Sequence, residues 1–247
     1  ELYLGKYEIR EITTPHGMVL NGTIQTVELT YAGQEVAITE TAGNLYNERQ
    51  KVKISLSKVL EQNELFGIGM NGELKNITFG LYAKTDLVAD DGTVIPAGGL
   101  IEIVTFDDNG MATVSADLPL GSYYLQERST DEHYILDDTH YEFEFSYGSQ
   151  ETHMVEISVN GGDPIKNDLK YGMISGRKVD EDGHVIAGAI FGLFRNDENE
   201  YTAENAYLTA ESAQDGTFKF EKVPFGTWVV REIQPAKGFV LNEKAYP

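Results

Sequence analysis

The chain has 247 residues, 41% of them hydrophobic and 11% aromatic, enough to bury the cores of one to three domains. With 40 acidic and 19 basic residues its formal charge is −21, which repels phosphate backbones and anionic lipid and so argues against nucleic-acid or membrane partners. It has no cysteine, so disulfides and thiolate metal sites are excluded, and no His-Glu-x-x-His or Ser/His/Asp pattern calls for a metal, a cofactor or triad chemistry. There is no run of about 18 apolar residues to cross a membrane. No signal peptide or lipidation motif is visible, and the chain reads as a fragment of a longer protein.

In chain order, alternation predicts strands at 5–12, 17–21, 24–31 and 34–40, the last two joined as a hairpin at Ala32-Gly33. Leu45-Tyr46-Asn47 reads as one more short strand, with Asn47 in phase with Leu45. A new unit begins near 49: Val52, Ile54, Leu56 and Lys58 share a face, which puts a lysine on an apolar row. Residues 79–83, 100–106, 111–116, 121–129, 141–147 and 153–159 read as further strands, with turns at Asp91-Gly92 and Asn109-Gly110. In Pro164-Ile165-Lys166-Asn167 the asparagine is in phase with the isoleucine. Strands then follow near 172–178, at 191–194, at 217–222 and at 227–233. Residues 196–212 are the one candidate for a short helix or long loop, and Asp180-Glu181-Asp182-Gly183 reads as a solvated hairpin turn.

One pattern occurs three times. Gly-Lys-Tyr-Glu-Ile-Arg-Glu at 5–11, Gly-Ser-Tyr-Tyr-Leu-Gln-Glu at 121–127 and Gly-Thr-Trp-Val-Val-Arg-Glu at 226–232 each end in a glutamate. A second short strand begins six residues later, at Gly17, His133 and Gly238. Glu11, Glu127 and Glu232 lie in phase with the apolar residues of their strands, and buried carboxylates are rare unless paired. Asn47 precedes Lys58 by 11 residues, and Asn167 precedes Lys178 by 11, so a unit ends with asparagine and the next begins with lysine. The implied division is 1–48, the C-terminal part of a unit; 49–168, a complete one; and 169–247, one lacking its last strand or strands.

In a dry core, Lys58, Glu127 and Asn167 permit a definite reaction. Burial favours the neutral amine of lysine and the protonated acid of glutamate. The amine can attack the asparagine carboxamide while the glutamate polarises its carbonyl and shuttles protons. Ammonia leaves, and an amide joins the two side chains. A buried Lys–Glu ion pair capped by asparagine is the other reading, and the phases accommodate both.

These residues resemble the CnaB-type (SpaA-like, prealbumin-like) domains of Gram-positive surface adhesins and pilins. Lys178-Val179-Asp180, Gly188–Phe194, the Pro224–Glu232 strand and Tyr46–Lys51 carry the resemblance, which covers essentially the whole chain. It implies an all-β fold of tandem transthyretin-like or inverse-immunoglobulin β-sandwiches. It also implies an autocatalytic isopeptide bond between Lys58 and Asn167 beside a catalytic Glu127. The first unit has Glu11 and Asn47 but no lysine strand, and the third has Lys178 and Glu232 but no asparagine strand. They are incomplete equivalents, completed by further sequence or by donation between molecules. The middle unit also carries an insertion at 62–75 relative to the third.

The expected function is a stalk segment of an extracellular, wall-attached adhesin or pilin, with neighbouring repeats of the same protein as partners and no turnover enzyme. The alternative is a module binding a glycan or host matrix protein.

Overall fold

The computed structural model describes residues 2–88 and 92–247; Asp91 of the expected Asp91-Gly92 turn lies outside them. Among the described residues, helix is confined to single 3₁₀ turns at Glu73–Asn76 and Val159–Gly162, so the chain is all-β as its alternation predicts. It divides into two compact units, one of residues 1–132 and 136–167, the other of residues 133–135 and 168–247.

After β1 (Gly5–Ile9) and β2 (Gln25–Leu29), the first unit is built on β3 (Lys51–Leu60). Val52, Ile54, Leu56 and Lys58 form its inward row, with the last three buried. Three strands flank it. β8 (Met111–Thr113) pairs antiparallel with residues 55–57, β11 (Met154–Ser158) parallel with residues 51–55, and β12 (Ile165–Asn167) parallel with residues 58–60. A second sheet has the order β10 (Tyr141–Phe145), β9 (Gly121–Ser129), β4 (Thr78–Ala83), β7 (Leu100–Thr105). A short antiparallel ladder of two residue pairs, β5 (Leu87–Val88) with β6 (Val94–Ile95), follows β4. Ile54, Leu56 and Ile165 of one sheet meet Phe79, Leu81, Val104, Tyr123, Leu125 and Phe145 of the other in one core cluster. Each fully buried aliphatic or aromatic side chain contributes about 1.5–3 kcal/mol. The 62–75 insertion is tied down locally, since the Glu73 carboxylate accepts the backbone N–H groups of Gly69 and Asn71.

The first 48 residues depart most from expectation. β1 pairs antiparallel with β2, but 34–40 forms no strand and the Ala32-Gly33 hairpin does not form. Alternation needs an apolar surface to face, and Val36 and Ile38 find none: they are 47% and 76% exposed. Residues 17–21 contribute one bridge, Met18 to Arg49, and 45–47 form no strand. Buried Gln50 fastens this segment to the sandwich. Its backbone N–H donates to Gly17, and its side chain donates to the Ser149 and Thr152 carbonyls and accepts from Gly148 N–H.

In the second unit β13 (Tyr171–Arg177) pairs with β16 (Thr217–Pro224), and β14 (Ile190–Arg195) lies between β15 (Leu208–Glu211) and β17 (Trp228–Gln234). Phe191, Leu193, Phe194, Phe218, Phe220 and Trp228 are buried. Residues 196–207 form a loop rather than a helix, with Tyr201 packed edge-on against Phe194.

Candidate functional site

Register brings Lys58, Glu127 and Asn167 together. Ile165 on β12 stands level with Lys58 on β3, so Asn167, two residues on, projects from the same face as the lysine. Glu127 comes from β9 in the opposite sheet, level with Phe79. All three are buried, at 1%, 3% and 1% exposure in chain order. Lys58 Nζ lies 3.3 Å from Glu127 Oε1. Asn167 Nδ2 donates to Glu127 Oε2 at 2.9 Å. The glutamate therefore touches both the amine and the carboxamide.

The electrostatics are unfavourable to an ordinary ion pair. Lys58 Nζ has no well-directed hydrogen bond, and neither does Glu127 Oε1; the Phe79 ring lies 5.4 Å beneath the ammonium. Burial pushes the Lys58 amine below its usual range, against the attraction of Glu127 and Asp137. A buried pair this poorly hydrogen-bonded is costly to keep charged. One detail differs from expectation: the contact to the carboxylate comes from the asparagine nitrogen, not its carbonyl. The carboxylate thus accepts from the asparagine amide nitrogen.

The flanking sites are parts of the same arrangement. Asn47 Nδ2 donates to Glu11 Oε2 at 2.6 Å, and Lys178 Nζ lies 3.1 Å from both Glu232 oxygens. Beside Lys178 and Glu232 is a cleft of about 730 Å³ lined by Phe191, Phe218, Trp228 and Tyr246 among others.

Three supports recur that the phase argument did not single out. Ten residues after each glutamate, a backbone N–H donates to its Oε2: Asn21 and Asp137 at 2.7 Å, Asn242 at 2.8 Å. Four residues before each glutamate, an aromatic side chain donates to the carbonyl four residues earlier. These pairs are Tyr7 to Tyr3, Tyr123 to Pro119, and Trp228 to Pro224. Each lysine N–H donates to a turn glycine, Lys58 to Gly110 and Lys178 to Gly216. The Asn, Asp, Asn series at 21, 137 and 242 was a legible signal, because it closes each copy of the repeat.

Fold and site together define a class: an all-β protein of prealbumin-like sandwiches with a buried lysine–glutamate–asparagine cluster. The chain belongs to the SpaA family of prealbumin-like fold domains, whose model matches residues 68–160 and 172–247. No curated protein matches it in sequence. Among solved structures it is similar to the Bacillus anthracis TIE protein, at 21% identity and TM-score 0.62, over 99% of this chain and 39% of that one. The chain thus spans well under half of that protein's length. It is also similar to a streptococcal ancillary pilin (21% identity, TM-score 0.32, 99% of this chain and 71% of that). A third similar structure is the C-terminal fragment of the pilus adhesin SpaC from Lactobacillus rhamnosus GG (15% identity, TM-score 0.40, 79% and 80%).

Proposed function

We propose that this chain is a structural stalk segment of an extracellular adhesin or pilin, and that Lys58 and Asn167 join autocatalytically in an amide. The observation that carries the cross-link is the buried cluster in which one carboxylate contacts both the amine and the carboxamide. The neutral Lys58 amine attacks Asn167 Cγ after passing a proton to Glu127. The tetrahedral carbon collapses and the Cγ–Nδ2 bond breaks; Glu127 gives its proton to the departing nitrogen and takes the second proton from Nζ, ending protonated. Ammonia leaves, and the Nζ–Cγ amide remains. The fold supplies proximity, which is worth about 7–11 kcal/mol of barrier. The product removes an awkward buried charge pair, so the reaction relieves the strain that the fold creates.

The stalk reading is supported by membership in the SpaA family and by the recurrence of the site along the chain. A covalent amide would staple a cysteine-free domain in a form that reductants do not open. Neighbouring repeats are the natural partners, with attachment to the cell wall beyond this segment. Each domain reacts once with itself, so no turnover enzyme is implied.

The test is intact mass under denaturing conditions. The wild-type chain is expected to fall about 17 Da short of its calculated mass, one ammonia. Lys58→Ala and Asn167→Ala are expected at full mass. A folded wild type at full calculated mass would overturn the cross-link.

A further inference from the structure

Lys58, Glu127 and Asn167 do not account for every charged group at this site. Asp137 donates its backbone N–H to Glu127 Oε2, and the residue is itself partly buried. The Tyr141 hydroxyl donates to Asp137 Oδ2 at 2.5 Å, and Thr139 N–H donates to Oδ1 at 3.0 Å. Tyr141 packs against Phe79 at 6.3 Å between ring centres, the same ring that lies under Lys58 Nζ. The corresponding positions are Asn21 and Gln25 in the first repeat, and Asn242 and Tyr246 in the third. Of the three repeats, the one holding a complete set of reacting residues is the one with an acid there.

We infer that Asp137, fixed by Thr139 and Tyr141 with its backbone N–H on Glu127, is a positioning residue that sets the pH at which the Lys58 amine is freed to react, an inference that rests on the cross-linking reading above. The titratable groups linked by contacts here are Lys58 on β3, Glu127 on β9, Asp137 in the following loop and Tyr141 on β10, with neutral Asn167 on β12. Burial drives the proton off Lys58; Glu127 and then Asp137 hold it on. Burial works against the Asp137 carboxylate, but hydrogen bonds from Thr139 and Tyr141 and the charge of Lys58 outweigh it and hold it below the usual range. Tyr141 is pushed well above its own, by burial first and then by donating to Asp137. Both residues keep a second negative charge on the lysine without touching the reacting atoms. Neutralising that charge leaves burial opposed by Glu127 alone, and the amine becomes nucleophilic at lower pH.

The experiment uses the full chain in an Asn167→Ala background, where the amine is preserved whether or not the wild type cross-links. The Lys58 side chain is titrated by NMR with and without Asp137→Asn, which retains the backbone N–H to Glu127. The expected result is a titration displaced to lower pH in the double variant. Tyr141→Phe in the same background is expected to raise the pH at which Asp137 itself takes up a proton. With Asn167 restored, the pH profile of ammonia loss after cell-free synthesis is expected to move to lower pH in Asp137→Asn. Coincident Lys58 titrations overturn the inference. So does a uniform slowing at every pH without displacement, which marks a merely structural role. Wild type at full mass would remove the reaction itself, while the Lys58 titration would still report on Asp137.

Discussion

Gly110 accepts the backbone N–H of Lys58 at 2.7 Å, and a Cβ placed on this glycine would stand 2.2 Å from the Lys58 carbonyl oxygen. Its φ of 72° lies in the left-handed region that other residues occupy at a cost. The lysine is thus held at its depth by a turn that tolerates no side chain. Gly110→Ala is expected to destabilise the first unit by about 1–3 kcal/mol from backbone strain, with the clash in addition. Urea unfolding measures the first effect, and the mass deficit of freshly made protein should appear more slowly. Gly216, with φ 76° and a Cβ position 2.6 Å from the Lys178 carbonyl oxygen, should behave alike in the second unit.

Removing one member of the cluster should not be equivalent to removing another. If the proposed cross-link forms, Asn167→Ala loses a bond that would close roughly 110 residues of chain and should lower stability by up to about 4–5 kcal/mol. Glu127→Ala would lose the same bond and also strand a buried ammonium, a further cost of about 3–5 kcal/mol. Lys58→Met combined with Glu127→Leu should recover most of that second loss. Thermal unfolding of the set should rank the double variant above Glu127→Ala; the reverse order would show that Lys58 is not charged in the uncross-linked fold.

Without the cross-link, stability should depend on pH through Lys58. Its folded value lies below the ordinary 10.5, because burial disfavours the ammonium. At low pH the lysine is protonated in both states, and the burial penalty is present in full. As pH rises through the folded value towards 10.5, the unfolded chain holds more protons, so stability rises. Chemical unfolding of Asn167→Ala should show this rise below pH 10.5, and Lys58→Met/Asn167→Ala should not.

Tyr123 is fully buried, and its hydroxyl donates to the Pro119 carbonyl at 2.5 Å. Burial pushes its ionisation up to about 12. Spectrophotometric titration should therefore find two tyrosines, Tyr123 and Tyr141, that resist ionisation while the exposed ones titrate. Tyr123→Phe should leave one of the two and cost about 1 kcal/mol, with the Pro119 carbonyl left without its donor.

Side-chain phase was legible in the chain because a strand sends alternate residues to opposite faces regardless of what lies beyond. Ile54, Leu56 and Lys58 on one row, Leu125 with Glu127, and Ile165 with Asn167 all follow from that period of two. The repeat spacing then pointed to three glutamates as one feature. The same period misled at 34–40, where an alternating pattern has no apolar surface to cover and forms no strand.

The all-β class, the repeat and the three inward polar side chains follow from the chain alone, since they depend on local alternation and on spacing along it. What the tertiary structure decided is how they meet. The parallel register of β12 on β3 sets Asn167 beside Lys58, and the facing of β9 sets Glu127 against both. The backbone donors at Asp137, the carbonyl of Gly110 and the clasp of Gln50 on the first 48 residues belong to the same category. Backbone groups look alike at every position, so their partners are chosen by strand pairing and chain packing, which no local pattern encodes.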